Sequence, residues 1–347
     1  MKLGLVGYPQ VGKKTLFRLL TGQDPQATGL GLAQVRDARV EDLVAQYEPR
    51  KRTPATIEFE MLPDLEEDSQ KNAAALKGLE RVDAICHLVR SFADESVYHL
   101  SGSVDPARDI RRFAEDLQLA DMLFIDKRLE RLAKERKGQK EEGPEKALLE
   151  RMQAHLEEGH PLSEFGFSAS EEKLVASYPL LTLKPVVNIL NADEEDVQNI
   201  DLLAGLEAEF SDAPFAWVAV SAKIEEELAE LDEEERSAFL ADLGLAEPAL
   251  ARLTRLCYST LGLISFFTVG EDEVRAWTIR RGCLAPQAGR TIHTDIQRGF
   301  IRAEIMRYDD LAELGSEQAL KAAGKFLQKG RDYEVEDGDI IHFLFKV

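Results

Sequence analysis

Short apolar runs alternate with stretches of helical spacing through much of the chain, and this alternation is the first guide to its fold. Mostly apolar runs predict buried strands at Leu3–Val6, Thr56–Leu62, Ala84–Val89, Pro185–Leu190 and Ala216–Val220. Helical stretches, Lys13–Leu20 and Asn72–Arg81, lie between some of these runs. Strands that alternate with helices are typical of a parallel α/β sheet, and this fold class is predicted for the first part of the chain.

A different pattern interrupts the sheet. Between Asp109 and Lys137 apolar residues recur at helical spacing, and the spacing resumes over Glu145–Glu157 after a charged break at Gly138–Gly143. Two helices joined by a polar turn predict an antiparallel helical hairpin inserted into the α/β domain. His87 lies inside the apolar run at Ala84–Val89, where a core imidazole with one satisfied nitrogen is favoured over a catalytic one.

The last 80 or so residues predict a small mixed α+β module. Its strand candidates surround one helix, Ser316–Lys325, and they are Ser265–Val269, Ala276–Ile279, Phe300–Met306 and Ile340–Phe345. Turn residues such as Gly289 and Gly330 separate them. No internal repeats are found.

The most specific motif follows the first predicted strand and precedes the first helix. Gly7, Gly12 and Lys13 fit the phosphate-loop pattern G-x-x-x-x-G-K-[ST], and the predicted nucleotide-binding residues here are Gly7, Gln10, Val11, Gly12, Lys13, Lys14 and Thr15. Glycines let main-chain N–H groups approach an anion, and the helix start adds a positive dipole end. A lysine at the position of Lys13 supplies charge for the β- and γ-phosphates. The predicted ligand is ATP or GTP.

Lys14 stands where this pattern requires a serine or threonine hydroxyl to ligate Mg²⁺. Thr15 does not replace it, because one helical residue turns the side chain by about 100°. Either the ammonium of Lys14 takes the usual place of the metal, or it points into solvent and the site is weakened. Dependence on Mg²⁺ is therefore doubtful, and no metal ligand and no catalytic residue is assigned.

Composition restricts the possible partners. The chain has 347 residues and a net charge of −21, which is unfavourable for broad nonspecific binding to nucleic acid, and no sequence readout of DNA is expected. Residues 265–347 carry 12 Lys and Arg against 14 Asp and Glu, so the charge lies almost wholly in residues 1–264. Either the arginines there form a local basic face, or they are interspersed solvated charge; they are Arg275, Arg280, Arg281, Arg298 and Arg302.

No membrane span is expected, since no run of about 18 apolar residues occurs. No signal peptide is expected either, because the sequence starts directly in a predicted strand. The three scattered cysteines, Cys86, Cys257 and Cys283, suggest reduced thiols rather than a disulfide frame. Both observations favour a cytoplasmic protein.

With these segments in hand, the chain resembles the YchF family, the Obg-like ATPases, over nearly its whole length. In the first part the similar segments are Gly4–Phe17, Arg81–Arg90, Asp126–Leu132, Ser221–Glu225 and Glu234–Leu245. In the last part they are Phe266–Gly270, Glu273–Trp277, Ala285–Gln287, Ile292–Asp295, Gly299–Glu304 and Asp332–Asp339.

The resemblance implies a P-loop NTPase domain with an inserted helical hairpin and a C-terminal β-grasp module of the TGS type. The corresponding domains are 1–98 with 183–264, 99–182, and 265–347. It also implies a cytosolic protein that prefers ATP over GTP, associates with ribosomes and serves translation or stress regulation. The C-terminal module and the hairpin would then contact ribosome or RNA, with Trp277 and Phe300 as candidates for base stacking if they are not core residues.

The same resemblance assigns a base-binding loop. A guanine site uses Asn-Lys-x-Asp, but this chain has Asn191-Ala-Asp-Glu194, which displaces the carboxylate and leaves an amide that pairs with adenine. The family implies a base site formed by Asn191 and Glu194 with main-chain donors from Ser221, Ala222 and Lys223. The alternative is an ordinary polar loop after a strand.

Three departures from the family bear on hydrolysis. Besides Lys14, the Asp-x-x-Gly motif is expected at Glu60–Pro63, where proline has no N–H to donate, and the switch threonine is lost unless Thr28 replaces it. Each loss removes charge neutralisation at the γ-phosphate. Three functions remain: a nucleotide-binding regulator with weak or absent hydrolysis, a slow ATPase or GTPase that uses unusual residues, and a ribosome- or RNA-binding scaffold with a vestigial nucleotide site.

Overall fold

A computed structural model describes residues 1–135, 143–197 and 200–346. The strands are β1 Lys2–Val6, β2 Leu30–Gln34, β3 Lys51–Thr53, β4 Thr56–Met61, β5 Ala84–Arg90, β6 Val186–Asn191, β7 Phe215–Val220, β8 Leu263–Thr268, β9 Glu273–Arg280, β10 Phe300–Arg307, β11 Leu327–Lys329 and β12 Asp339–Phe345. The helices are α1 Lys13–Thr21, α2 Ala38–Tyr47, α3 Ala73–Leu79, α4 Pro106–Glu135, α5 Pro144–Glu157, α6 Ala169–Val175, α7 Ile200–Glu209, α8 Ala222–Glu230, α9 Glu233–Asp242, α10 Ala249–Thr260, α11 Ala285–Ile292, α12 Thr294–Gly299, α13 Tyr308–Leu314 and α14 Glu317–Ala322. Short 3₁₀ turns occur at Ser69–Asn72 and Leu162–Glu164.

The chain divides into two compact units. The first contains Met1–Gly31 and Glu58–Leu250, and the second contains Leu32–Ile57 and Ala251–Val347. This division differs from the domain prediction, because it keeps the helical hairpin in the first unit and assigns residues 32–57 to the second. It does not test the predicted domain boundaries, which stay a prediction.

Within the described ranges, no helix is both long and apolar enough to cross a membrane.

The first sheet has the strand order β2-β4-β1-β5-β6-β7. Strand β1 pairs in parallel with β4 and β5, and β5, β6 and β7 pair in parallel in turn. Every residue of β5 and β6 is buried, which explains why both are mostly apolar rather than alternating in polarity. The predicted parallel α/β fold class is confirmed, and parallel strands bring their carboxyl ends to one edge of the sheet.

Helices α4 and α5 form the predicted antiparallel pair. Arg128 of α4 contacts Glu145 at the start of α5. Gln118, earlier on α4, donates to the carbonyl of Gly159 beyond the end of α5. The two helices therefore run in opposite directions. Their shared core includes Ile125, Leu132, Leu149 and other apolar residues. Most of the predicted turn, residues 138–143, lies outside the described residues.

The second unit has a mixed sheet, as predicted for the C-terminal module. Its strand order is β11-β10-β12-β8-β9-β3, with antiparallel pairs except for β12 with β8 and β3 with β9. The edge strand β3 comes from a segment that is distant in sequence and that the apolar pattern does not reveal. Arg39 of α2 holds the same segment in this unit, since its guanidinium bonds Asp337 at 2.8 Å.

The two candidate stacking aromatics lie in or against the apolar core of the second unit. Phe300 is buried in the apolar core between the sheet and helices α11 and α12, so of the two alternatives for this residue it takes the core one rather than base stacking. Trp277 packs against the same core, and its indole N–H donates to the hydroxyl of Thr268 at 2.9 Å. The guanidinium of Arg275 lies 3.8 Å from the centre of the Trp277 ring, which places this arginine on the aromatic face.

His87 is a fully buried residue of β5, as expected for a core histidine. Its Nδ1 lies 3.1 Å from Oδ1 of Asn188, while its Nε2 has no hydrogen-bond partner within the described residues. The imidazole packs on Phe113, with the ring centres 4.2 Å apart. Burial lowers the pKa of His87 to about 4 from an ordinary value of 6.5, and the contact with Asn188 only partly opposes this.

Because the imidazole of His87 is buried in its neutral form, we expect the protein to lose stability in mild acid. Between pH 6.5 and pH 4 the unfolded chain binds a proton at His87 that the folded chain does not bind, so the free energy of unfolding falls as the pH drops. At pH 5 the loss is about 2 kcal/mol. His87→Gln keeps a donor for Asn188 and does not titrate. Urea unfolding at pH 7.5 and pH 5 should give that variant a weaker pH dependence by this amount, and an unchanged pH dependence would contradict the assignment.

Candidate functional site

A tight loop at the carboxyl end of β1 forms the centre of the site. It runs from Gly7 to Gly12, between the central strand of the first sheet and α1. A Cβ atom at Gly7 would lie 2.5 Å from the main-chain oxygen of Leu88. Gly12 has φ of 92°, and a Cβ atom there would lie 2.5 Å from Nδ2 of Asn191. The loop therefore has this course only with glycine at both positions.

The loop leads directly into the start of α1. Gln10 also has a left-handed backbone, with φ of 60°, which folds the middle of the loop back on itself. The helix begins after Gly12, so no side chain caps its first N–H groups, and its first turn carries no acidic residue. Uncapped N–H groups and the dipole end of a helix are suited to an anion such as a phosphate.

Lys13 is the loop lysine, and only 6% of its side chain is exposed. Its Nζ lies 2.6 Å from the carbonyl oxygen of Leu62 and 2.6 Å from Oδ1 of Asp64. Burial lowers the pKa of Lys13, Asp64 opposes that shift, and the neighbouring charge of Lys14 adds to it. The ammonium is thus held beside the loop by two internal acceptors.

Lys14 and Thr15 complete the predicted phosphate-loop residues. Lys14 is exposed on the first turn of α1, while Thr15 is half-buried. An exposed lysine at position 14 brings no oxygen ligand for a cation to the loop.

Asn191 joins the phosphate loop to the second predicted loop. It is the last residue of β6 and is almost fully buried. Its Nδ2 donates to the carbonyl of Val11 at 3.0 Å, and its Oδ1 accepts from the N–H of Ala222 at 3.0 Å. The structure therefore brings together Val11, Gly12, Asn191 and Ala222, which are widely separated in sequence.

The remaining base-loop residues divide into a buried and an exposed pair. Ser221 is buried with Ala222, and its hydroxyl caps α8 by accepting from the N–H of Ile224. Glu194 and Lys223 lie at the surface and form an ion pair of 2.7 Å, which raises the pKa of Lys223. The carboxylate that would replace the guanine-binding aspartate is thus engaged with a lysine.

Glu60 and Thr28, which were considered for the metal and the γ-phosphate, make their contacts away from the loop. Glu60 pairs in register with Gly4, inside the sheet, and its carboxylate lies 3.2 Å from Nζ of Lys2. The hydroxyl of Thr28 bonds the main chain of Leu30 in its own turn. Across the described ranges, no group of three or more His, Cys, Asp and Glu side chains could hold a metal ion.

Asp64 is the site residue that sequence reasoning missed. The parallel register aligns Met61 with Leu5, so the chain reaches the loop only after β4 ends, at residues 62–65. The expected motif at Glu60–Pro63 therefore begins too early to bring a carboxylate to the loop. A signal was present in the sequence, since Asp64 is the first acidic residue after this strand.

A central parallel strand, a glycine-bounded loop and a lysine at the start of the next helix define the class of P-loop nucleotide-binding proteins. Residues 263–346 match a family model named YchF-GTPase_C and described as a protein of unknown function (DUF933). The ribosome-binding ATPase YchF of Bacillus subtilis is 37% identical over 368 residues, which cover 99% of each chain. That of Haemophilus influenzae is 37% identical over 360 residues, which cover 100% of this chain and 99% of the relative.

A solved structure agrees with these comparisons. The YchF GTPase of Schizosaccharomyces pombe superposes with a TM-score of 0.85 and 33% identity, over 99% of this chain and 97% of the other. The chain belongs to the YchF family. The family resemblance and the predicted fold class are both confirmed.

Proposed function

We propose that this chain binds an adenine nucleotide in the loop Gly7–Thr15 and acts as a ribosome-associated regulator with weak or absent hydrolysis. One observation carries the proposal: the loop has the backbone of an anion cradle, with left-handed Gln10 and Gly12 and an uncapped helix start. Asn191 ties this cradle to the base loop at Ala222, so one buried amide links both halves of a nucleotide site.

Two features support adenine over guanine as the base. Guanine recognition needs a carboxylate at the position of Glu194, and that carboxylate is paired with Lys223 at 2.7 Å. Each polar atom of the Asn191 amide uses one of its two hydrogen-bonding positions within the protein, so one donor and one acceptor position remain. This combination suits the N6 and N7 atoms of adenine.

The surroundings of the loop support weak hydrolysis. Phosphoryl transfer depends on cations and N–H donors around the γ-phosphate. Here Lys14 replaces the metal-ligating hydroxyl, Pro63 has no N–H, and Lys13 is already bonded to Asp64. We expect phosphate release below about 10⁻² s⁻¹, the rate of a G protein that carries its own catalytic arginine. A faster rate would favour an ATPase that uses unusual residues.

The proposed partner is the ribosome, and the proposed location is the cytoplasm. The support is that relatives named as ribosome-binding ATPases align with the whole of this chain. Sedimentation of the full chain with purified ribosomes, with and without nucleotide, tests this part of the proposal. Recovery of the chain in the supernatant under both conditions would contradict it.

Titration calorimetry tests the nucleotide site. Lys13→Ala should weaken binding of adenine nucleotide by about 30-fold, since the loop lysine supplies the charge nearest the phosphates. The control is Lys77→Ala, which removes an exposed lysine of α3 and should leave affinity unchanged. Equal affinity in the wild type and in Lys13→Ala would reject the site.

Chelation of metal gives a second result that depends on Lys14. We expect wild-type affinity for adenine nucleotide to change by less than about threefold when Mg²⁺ is removed, because position 14 offers no oxygen ligand. Lys14→Ser restores a hydroxyl, and its affinity should become dependent on Mg²⁺ by about tenfold. The same calorimetric titrations, run with Mg²⁺ or with chelator, measure both. Strict dependence on Mg²⁺ in the wild type would contradict the assignment.

A further inference from the structure

The ammonium of Lys13 is already engaged by an acidic side chain of the protein. Oδ1 of Asp64 and the carbonyl oxygen of Leu62 each lie 2.6 Å from its Nζ. An ammonium has three donors, so two of the three are committed to these acceptors. In a P-loop the same ammonium is the group that reaches the β- and γ-phosphates.

The main chain holds Asp64 at this position. On one side, the N–H of Leu62 donates to the carbonyl of Leu5 at 3.0 Å. On the other side, the N–H of Leu65 donates to the carbonyl of Gly7, the first glycine of the loop, at 3.0 Å. Leu62 and Leu65 are both buried. The backbone of Asp64 is thus fixed at the edge of the loop, and only its half-exposed side chain can turn away.

A nucleoside diphosphate and a nucleoside triphosphate would meet the carboxylate of Asp64 differently. The main-chain N–H groups of a P-loop cradle the α- and β-phosphates, and these groups do not depend on Asp64. A γ-phosphate needs the lysine as well, and it would bring further negative charge beside the carboxylate that Lys13 already binds. Like charges at short range are costly where water is partly excluded.

We propose that Asp64 makes this site select nucleoside diphosphates over nucleoside triphosphates. The proposal rests on the nucleotide site proposed above and identifies the ligand class of that site. It also accounts for the loss of hydrolytic residues around the loop, because a site that holds a diphosphate needs no groups to cleave a γ-phosphate.

Calorimetric titration of the full chain with ADP and with ATP tests the selectivity. Wild-type protein should bind ADP about tenfold more tightly than ATP. Asp64→Asn keeps the size of the side chain and removes its charge, so it should raise ATP affinity about tenfold and change ADP affinity less than about threefold. Asp64→Gly removes the acceptor altogether and should act in the same direction.

The matched control is Glu66→Gln, which removes one negative charge from the same segment where it pairs with Lys71 rather than with Lys13. It should change neither affinity. Thermal unfolding of each variant establishes that it is folded before titration. Equal ADP and ATP affinities in the wild type, or no change of the ADP-to-ATP ratio in Asp64→Asn and Asp64→Gly, would overturn the inference while the nucleotide site stands. Absence of binding by either nucleotide, in the wild type and in both Asp64 variants, would overturn the proposed function as well.

Discussion

Replacing Asn191 with alanine is expected to weaken adenine nucleotide binding by about tenfold and to lower the free energy of unfolding by about 3 kcal/mol. The amide is buried and bonds both the carbonyl of Val11 and the N–H of Ala222. Alanine leaves an acceptor and a donor without these partners at once. The cost of each orphaned buried group is about 1–3 kcal/mol, and the two add because they lie on different loops.

The loss of affinity has a separate cause. The Val11 carbonyl belongs to the phosphate loop, and Gly12 packs directly against the same amide. Without Asn191, the loop loses the contact that fixes its left-handed turns relative to the base loop. Binding must then restore this order, and the restoration reduces affinity.

Asn188→Ala is the matched control for this experiment. Asn188 is a buried asparagine on the same strand, and its amide contacts His87 rather than either loop. It should lose stability but keep its affinity for nucleotide. Urea unfolding and calorimetric titration of both variants measure the two effects. If both variants lost the same affinity, Asn191 would have no particular role in the site.

The strands that the sequence predicted well are those in which nearly every residue is buried. Strands β1, β5 and β6 are nearly all buried and are therefore mostly apolar in sequence. The phosphate loop was also predictable, because its residues are contiguous and its glycines are required by close contacts, with the main chain of Leu88 at Gly7 and with the side chain of Asn191 at Gly12.

The segment Leu32–Ile57 shows where such reasoning fails. Helix α2 buries only two residues, Val40 and Leu43, and β3 contains Lys51, Arg52 and Thr53 without any apolar residue. These elements are ordered by partners more than 200 residues away, since β3 pairs with Glu273–Arg275. Pairing at such separation leaves no periodic signal in the local sequence.

The site shows the same division between local and distant order. Asn191 and Ala222 were assigned because their loops, each contiguous in sequence, resemble the base-binding loops of the YchF family. Asp64 was missed because its approach to Lys13 depends on the register of β4 against β1, which aligns Glu60 with Gly4. A shift of a few residues in register decides which carboxylate meets the lysine, and spacing along the chain does not contain that information.

Replacing Asp121 with alanine is expected to cause the largest loss of stability, about 4 kcal/mol. This residue of α4 is buried and its carboxylate accepts three hydrogen bonds. The N–H of Leu181 donates at 2.7 Å, and Thr182 donates through its N–H at 2.9 Å and through its hydroxyl at 2.6 Å. These bonds hold the segment that leads into β6 against the helical hairpin.

Alanine leaves all three donors buried without their acceptor, and asparagine would turn an NH₂ group toward at least one of them. The hydroxyl of Thr182 also accepts from the N–H of Leu162, so the disturbance extends to the turn after α5. Hydrogen exchange at the amides of Leu181 and Thr182 should therefore accelerate, in addition to the fall in the urea midpoint.

Asp126→Ala provides the comparison, because Asp126 lies on the same helix but is exposed and bonds only Gln153 among the described contacts. It should change the free energy of unfolding by no more than about 0.5 kcal/mol. Similar losses in Asp121→Ala and Asp126→Ala would mean that the buried carboxylate of Asp121 does not set the effect. A large loss confined to Asp121→Ala, with faster exchange at Leu181, would identify this aspartate as the residue that couples the hairpin to the sheet carrying Asn191.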